Sequence, residues 1–127
     1  MTYLLDTAPL LWAVLSPEKL SKPARQALET NRNELVVSVV SLWEVVIKAE
    51  KGSLPISDPP HWLERAVGEL HGRILPVHAA HIYQLHTLPS LHRDPFDRLL
   101  VAQAAVEGWT LITSDSALRA YPVSTLW

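Results

Sequence analysis

His92-Arg93-Asp94-Pro95-Phe96-Asp97-Arg98-Leu99-Leu100-Val101-Ala102-Gln103-Ala104-Ala105 is the stretch from which the rest of the chain is read. Pro95 suits a first helical position, where no backbone N–H is needed. Asp94 falls at the N-cap, and Asp97 three residues later answers the positive end of the helix dipole. From Leu99 to Val106 no residue is charged, so the helix is expected to be buried. Two carboxylates and Arg98 therefore stand at the mouth of a buried helix. Capping explains this at one helix. The same arrangement recurs three more times.

Outward from this helix, apolar runs alternate with helical patterns. Tyr3-Leu4-Leu5 reads as a buried strand ending at Asp6, with a helix from Pro9 to about Leu15 capped by Asp6 or Thr7. A more polar helix is expected from Pro23 to about Thr30. Glu34 to Ser38 is apolar on both faces, the mark of a central parallel strand. Ser41-Leu42-Trp43-Glu44 fits the capping-box pattern and predicts a helix to about Lys51, with Gly52 after it. A helix from His61 to about His71 is to end at Gly72. Arg73 to Val77 is a short strand, at an edge or an end because of Pro76. His78 to Leu88 is helical, with Ile82, Leu85 and Leu88 on one face. Beyond the opening helix, Trp109 to Thr113 is a strand, Asp115 caps a short helix from Ala117 to Ala120, and Val123 to Leu126 is a last strand. Strands separated by helices imply an α/β protein, a parallel sheet covered on both faces by right-handed crossovers.

The 127 residues suit a single domain, 1–127, and 48% hydrophobic content excludes disorder. A net charge of −2 gives no global basic field. With no cysteine there is neither a disulfide framework nor a thiolate metal site. No signal peptide is visible, and no uncharged stretch reaches the roughly 18 residues needed to span a bilayer. A cytoplasmic protein without a membrane contact is expected.

Ligands of a parallel sheet bind beyond the carboxyl ends of its strands. Asp6 ends the first strand, Glu44 opens the helix after the second, and Asp115 follows the strand ending at Thr113. These three share one sheet edge by topology, and only the fold can bring Asp97 to them. Each has a capping explanation of its own. Gathered together, the four would repel one another, and a hard divalent cation such as Mg²⁺ or Mn²⁺ is the usual relief. Such a site activates water for phosphodiester cleavage without a serine, cysteine or histidine nucleophile.

Leu4-Leu5-Asp6-Thr7, Ser41-Leu42-Trp43-Glu44 with Lys48, Asp94-Pro95-Phe96-Asp97-Arg98 with its apolar continuation, and Leu111-Ile112-Thr113-Ser114-Asp115 together resemble the motifs of PIN-domain ribonucleases, above all the VapC-like toxins of bacterial toxin–antitoxin pairs. The resemblance spans nearly the whole chain. It implies a three-layer α/β/α PIN-like fold with a central, mainly parallel sheet. It also implies an endoribonuclease dependent on Mg²⁺ or Mn²⁺, with Asp6, Glu44, Asp97 and Asp115 as catalytic metal ligands. Thr7 and Ser114 match positions that support such a site, and Asp94, one turn from Asp97 on the same face, is a further carboxylate within reach, read as N-cap or outer partner ahead of direct ligand. RNA substrate, a cognate antitoxin and a homodimer are the implied partners.

Arg98 and Lys48 each lie one turn from a candidate ligand and are candidates for gripping phosphate; neutralising the acids is the plainer role. Arg93 and Lys51 read as solvated. Of the six histidines only His92 sits beside the acids, and surface or packing roles suit the set better than zinc. Trp12, Trp43 and Trp62 are read as core, or as an apolar patch for a partner. Two rival readings remain. A receiver-like phosphoacceptor domain would want a lysine after a late strand, where only Arg119 stands. A non-catalytic RNA- or protein-binding module on the same fold would want a basic and aromatic groove in place of an acidic rim.

Overall fold

The structure is a computed structural model that describes residues 1–127. In chain order it forms β1 (Thr2–Leu5), α1 (Thr7–Leu15), a 3-10 turn (Pro17–Lys19), α2 (Lys22–Glu29), β2 (Glu34–Ser38), α3 (Val39–Glu50), α4 (Pro59–Glu69) and β3 (Arg73–Leu75). There follow α5 (Ala79–Thr87), α6 (Pro95–Glu107), β4 (Thr110–Ile112), a second 3-10 turn (Ser116–Ala120) and β5 (Thr125–Leu126). The strands make one sheet in the order β3-β2-β1-β4-β5. Every pairing in it is parallel.

Alternation along the strands sorts the core into two faces. Leu4, Val36 and Leu111 face a cluster with Leu100, Val101 and Ala104 of α6 and Leu118. Tyr3, Leu5, Leu35, Val37 and Ile112 face Leu10 of α1, Ala24 of α2 and Leu63 and Ala66 of α4. Both sides of the sheet are thus dry, which is why its strands read as continuous apolar runs. The result is the expected three-layer α/β/α arrangement, and no helix is long and apolar enough to cross a membrane.

Several element starts differ from expectation, each for a local reason. α3 begins at Val39, because Ser38 caps it by accepting from the Val40 N–H at 3.0 Å. Ser41 is therefore not a cap. It is buried inside the helix and its Oγ accepts from Thr7 Oγ1 at 2.9 Å. Glu44 accordingly sits in the second turn, not the first. α1 starts at Thr7, capped by Asp6, so Pro9 lies within its first turn.

On α5 the buried face carries His81, while Ile82 is 46% exposed. The histidine is tolerated because it is satisfied: Nδ1 accepts from the His78 N–H at 2.9 Å and Nε2 lies 3.1 Å from Glu107 Oε1. After α4 the left-handed residue is His71 (φ 53°) rather than Gly72. Gly72 is required for another reason, since a Cβ there would lie 2.8 Å from the Leu35 carbonyl oxygen.

Because that obstacle is backbone of a central strand, Gly72→Ala should cost about 1–3 kcal/mol. An unchanged urea midpoint in the variant would refute the crowding.

Candidate functional site

The carboxyl edge of the sheet gathers the candidate acids by geometry alone. Asp6 follows β1 directly, and its N–H donates to the Ile112 carbonyl at 3.0 Å, continuing the ladder by one bond. Asp115 stands three residues beyond β4 and caps the 3-10 turn, accepting from the Ala117 N–H at 2.9 Å. Glu44 projects from α3, which springs from the end of β2. α6 leads into β4 through Gly108, so it must run against the strand. Its 13 residues span roughly 20 Å, enough to carry its first turn back over the carboxyl edge. Asp97 arrives there by this route, close enough for the charges of Asp6 and Glu44 to act on it.

Asp94 is the N-cap of α6. Its Oδ1 accepts from the N–H groups of Phe96 and Asp97 at 2.8 and 3.2 Å. It thereby holds Asp97 in the opening turn and adds negative charge beside it.

The electrostatic cost of the cluster is visible in two members. Burial pushes the Asp6 carboxyl above its ordinary value of 3.8. Hydrogen bonds from Thr113 Oγ1 and the Thr7 N–H, both 2.8 Å, pull the other way. Glu44 and Asp115 add like charge. Asp97 is pushed up to about 7, first by desolvation and then by Asp6, Asp94 and Glu44, with the ring of His92 opposing. A further sign is Glu44 Oε1, which is buried without a hydrogen-bond partner. Its other oxygen pairs with Lys48 Nζ at 3.0 Å. A buried acceptor without a donor and two carboxyls driven toward protonation are conditions that a hard divalent cation would relieve.

Two contributors enter here: Thr113, which the sequence does not single out, and His92, which it places beside the acids without a role. Thr113 Oγ1 donates to Asp6 Oδ2 and accepts from the Asp115 N–H at 3.1 Å, joining two of the acids through one hydroxyl. Register alone signals it: Leu5 pairs with Ile112, so Asp6 and Thr113 are the next pair along. His92 is the second, with Nε2 at 3.1 Å from Asp115 Oδ2 and 3.6 Å from Asp97 Oδ2.

The remaining candidates take other positions. Thr7 is buried and its hydroxyl ties α1 to Ser41 of α3, leaving its N–H to orient Asp6. Ser114 is partly exposed beside Thr113, and the hydroxyl on Asp6 is that of Thr113. Arg98 NH2 reaches the Leu88 carbonyl at 3.4 Å, away from the acids, with Nε buried and unpaired. Trp43 is not core: it is 58% exposed, its ring edge-on to Phe96 at 4.8 Å. Each of these aromatics immediately precedes a candidate acid in the sequence.

Fold and site together define an all-parallel α/β/α protein with an acidic carboxyl edge. The sequence profile of the PIN domain matches residues 3–123, and the chain belongs to the PIN-domain family. It is 34% identical over 132 residues to "Ribonuclease VapC22" of Mycobacterium tuberculosis, an alignment that covers 99% of this chain and 98% of the relative. Its fold is similar to that in the crystal structure of VapBC2 from Rickettsia felis bound to a promoter DNA fragment (TM-score 0.78, 19% identity, 99% and 98% of the two chains). It is also similar to that of FitAcB from Neisseria gonorrhoeae (TM-score 0.66, 18% identity, 98% and 96%). Family membership sets the receiver-like reading aside.

The raised Asp97 pKa has a definite sign. Between 3.8 and about 7 the folded chain holds a proton that the unfolded chain has released, so metal-free stability falls as pH rises through that window. Asp97→Asn should therefore raise the melting temperature of the metal-free protein above about pH 7, and the gain should vanish below the unfolded-state value of 3.8. A destabilised variant at neutral pH would contradict the crowding of charge described here.

Proposed function

We propose that the chain is a metal-dependent endoribonuclease acting as the toxin of a toxin–antitoxin pair. The observation that carries this reading is the convergence of Asp6, Glu44, Asp97 and Asp115 from four separate elements on one sheet edge. The relative named a ribonuclease and the solved neighbours, one of them a toxin–antitoxin complex from Klebsiella pneumoniae, support the substrate and the partner.

In this reading the four acids hold Mg²⁺ or Mn²⁺. When bound, the ion supplies an activated water and neutralises charge at the scissile phosphodiester. The chain's own contribution is orientation. Thr113 Oγ1 and the Thr7 N–H fix both oxygens of Asp6. Lys48 holds one oxygen of Glu44 and leaves the other free of hydrogen bonds. Asp94 fixes the turn that presents Asp97. Trp43 and Phe96, packed edge-on, leave apolar surface that an inhibiting antitoxin would cover. The chain is read as one domain that works as a homodimer in the cytoplasm. The positive charge of Lys48, and of Arg98 if it swings from Leu88, is available to RNA phosphates.

The reading is tested by incubating purified protein with RNA and Mn²⁺ or Mg²⁺. Cleavage should be abolished by EDTA. Asp6→Asn and Asp97→Asn should each lose at least the roughly 10–100-fold that removal of a mere supporting partner costs. Wild-type cleavage by either variant would defeat the assignment. RNA binding with neither cleavage nor metal uptake would instead favour a non-catalytic module on the same fold.

Thr113→Val keeps the shape of the side chain and removes only the hydroxyl. It should lower cleavage by about 10–100-fold while the fold persists, read as kcat/KM beside a circular-dichroism melt.

A further inference from the structure

His92 stands outside the four acids, yet its position is fixed on several sides. The Asp94 N–H donates to Nδ1 at 3.0 Å, and the His92 N–H donates to the hydroxyl of buried Tyr121 at 2.9 Å. A ring nitrogen that accepts carries no proton, so in the neutral imidazole the proton is on Nε2. That N–H donates to Asp115 Oδ2 at 3.1 Å and faces Asp97 Oδ2 at 3.6 Å.

By spacing alone His92, Asp97 and Asp115 suit a shared metal, with one donor atom from each within 4.8 Å of the others. The hydrogen bonds argue otherwise. A ligating nitrogen must offer a lone pair to the ion. Here the lone pair of Nδ1 is taken by Asp94, and Nε2 turns a proton toward the acids.

We propose that His92 is a positioning residue whose Nε2–H locks Asp115 against the start of α6, and that it is not a ligand of the ion. This rests on the metal-centre reading given above. Asp115 sits on the turn after β4 and Asp97 on α6, two segments that the strand ladder does not join at this edge. Oδ1 of Asp115 is already oriented by the Ala117 N–H; His92 orients Oδ2. The same backbone N–H that fixes the ring belongs to Asp94, the cap of α6. Cap, imidazole and Asp115 thus form one chain of hydrogen bonds, and Asp97 lies against it.

Three measurements test the proposal. In metal-free protein with ¹⁵N-labelled histidine, NMR should report the Nε2–H tautomer for His92; the Nδ1–H form would overturn the proposal whether or not any metal binds. In the Mn²⁺-loaded protein, pulsed EPR should show no directly bonded ¹⁴N; the coupling of a coordinated imidazole would overturn it equally. If no Mn²⁺ binds, it is the metal-centre reading that fails, while the tautomer still decides whether His92 can donate to Asp115. The third comparison is between His92→Gln, whose amide nitrogen falls near the place of Nε2, and His92→Asn, which reaches only to the place of Nδ1. His92→Asn should lose about 10–100-fold in cleavage and His92→Gln should recover most of it. Equal loss in both variants, with both folded, would rule against a donor role.

Discussion

The hydrogen bond between Thr113 Oγ1 and Asp6 Oδ2 is the contact on which the acidic edge depends. It joins the ends of the two central strands, β1 and β4, at the point where their ladder stops. A carboxylate this buried needs donors, because water cannot reach it fully. The sheet supplies them from its own unravelling: the Thr7 N–H at the start of α1 and the hydroxyl next in register on β4. Asp6 can therefore remain beneath the other acids without a cation of the chain's own as partner. The other acids stand above it at distances set by the elements that carry them.

That arrangement explains why the site lies at the edge rather than in a cleft. The larger hollows in the surface lie elsewhere: one of about 420 Å³ lined by Arg25, Glu29 and His71, another of about 490 Å³ lined by Glu50, Ile56 and Pro60. Neither includes a candidate acid. In the proposed reading, a cluster of like charge that admits a phosphodiester is better served by an open rim than by a closed pocket. The rim owes its order to local caps. Asp6, Asp94 and Asp115 each hold the N-terminus of a helical segment. Capping and chemistry, weighed as alternatives from the sequence, are compatible at Asp6 and Asp115, whose second oxygens are free of the cap.

How much of this was legible beforehand follows from which interactions are local. The strands were readable because both faces of a covered parallel sheet are dry, and α6 was readable from Asp94, Pro95 and its uncharged run. The start of α3 was misread, since Ser38 and Ser41 both suit a cap and only the end of β2 decides between them. His81 was hidden because its burial depends on Glu107, 26 residues away. Asp97 was placed among the acids by resemblance. Its physical reason, a helix that must return across the sheet before β4, needs the strand order. Thr113 needed still more, the register of β1 against β4, and while His92 was seen beside the acids, its hydrogen bonds needed the path of the loop before α6.

The sheet offers little to extend at either side. β3 has three residues and β5 two, and Arg73 at the β3 edge pairs with Glu34 at 2.8 Å while its guanidinium lies over Trp109. Edges so short give an incoming strand almost no ladder to join. Strand addition has little backbone to use here, and side chains on the helices make up most of the surface a partner would meet. Specificity among closely related partners would then drift with surface substitutions on α1 to α6 while the sheet, and the acids at its edge, stay unaltered.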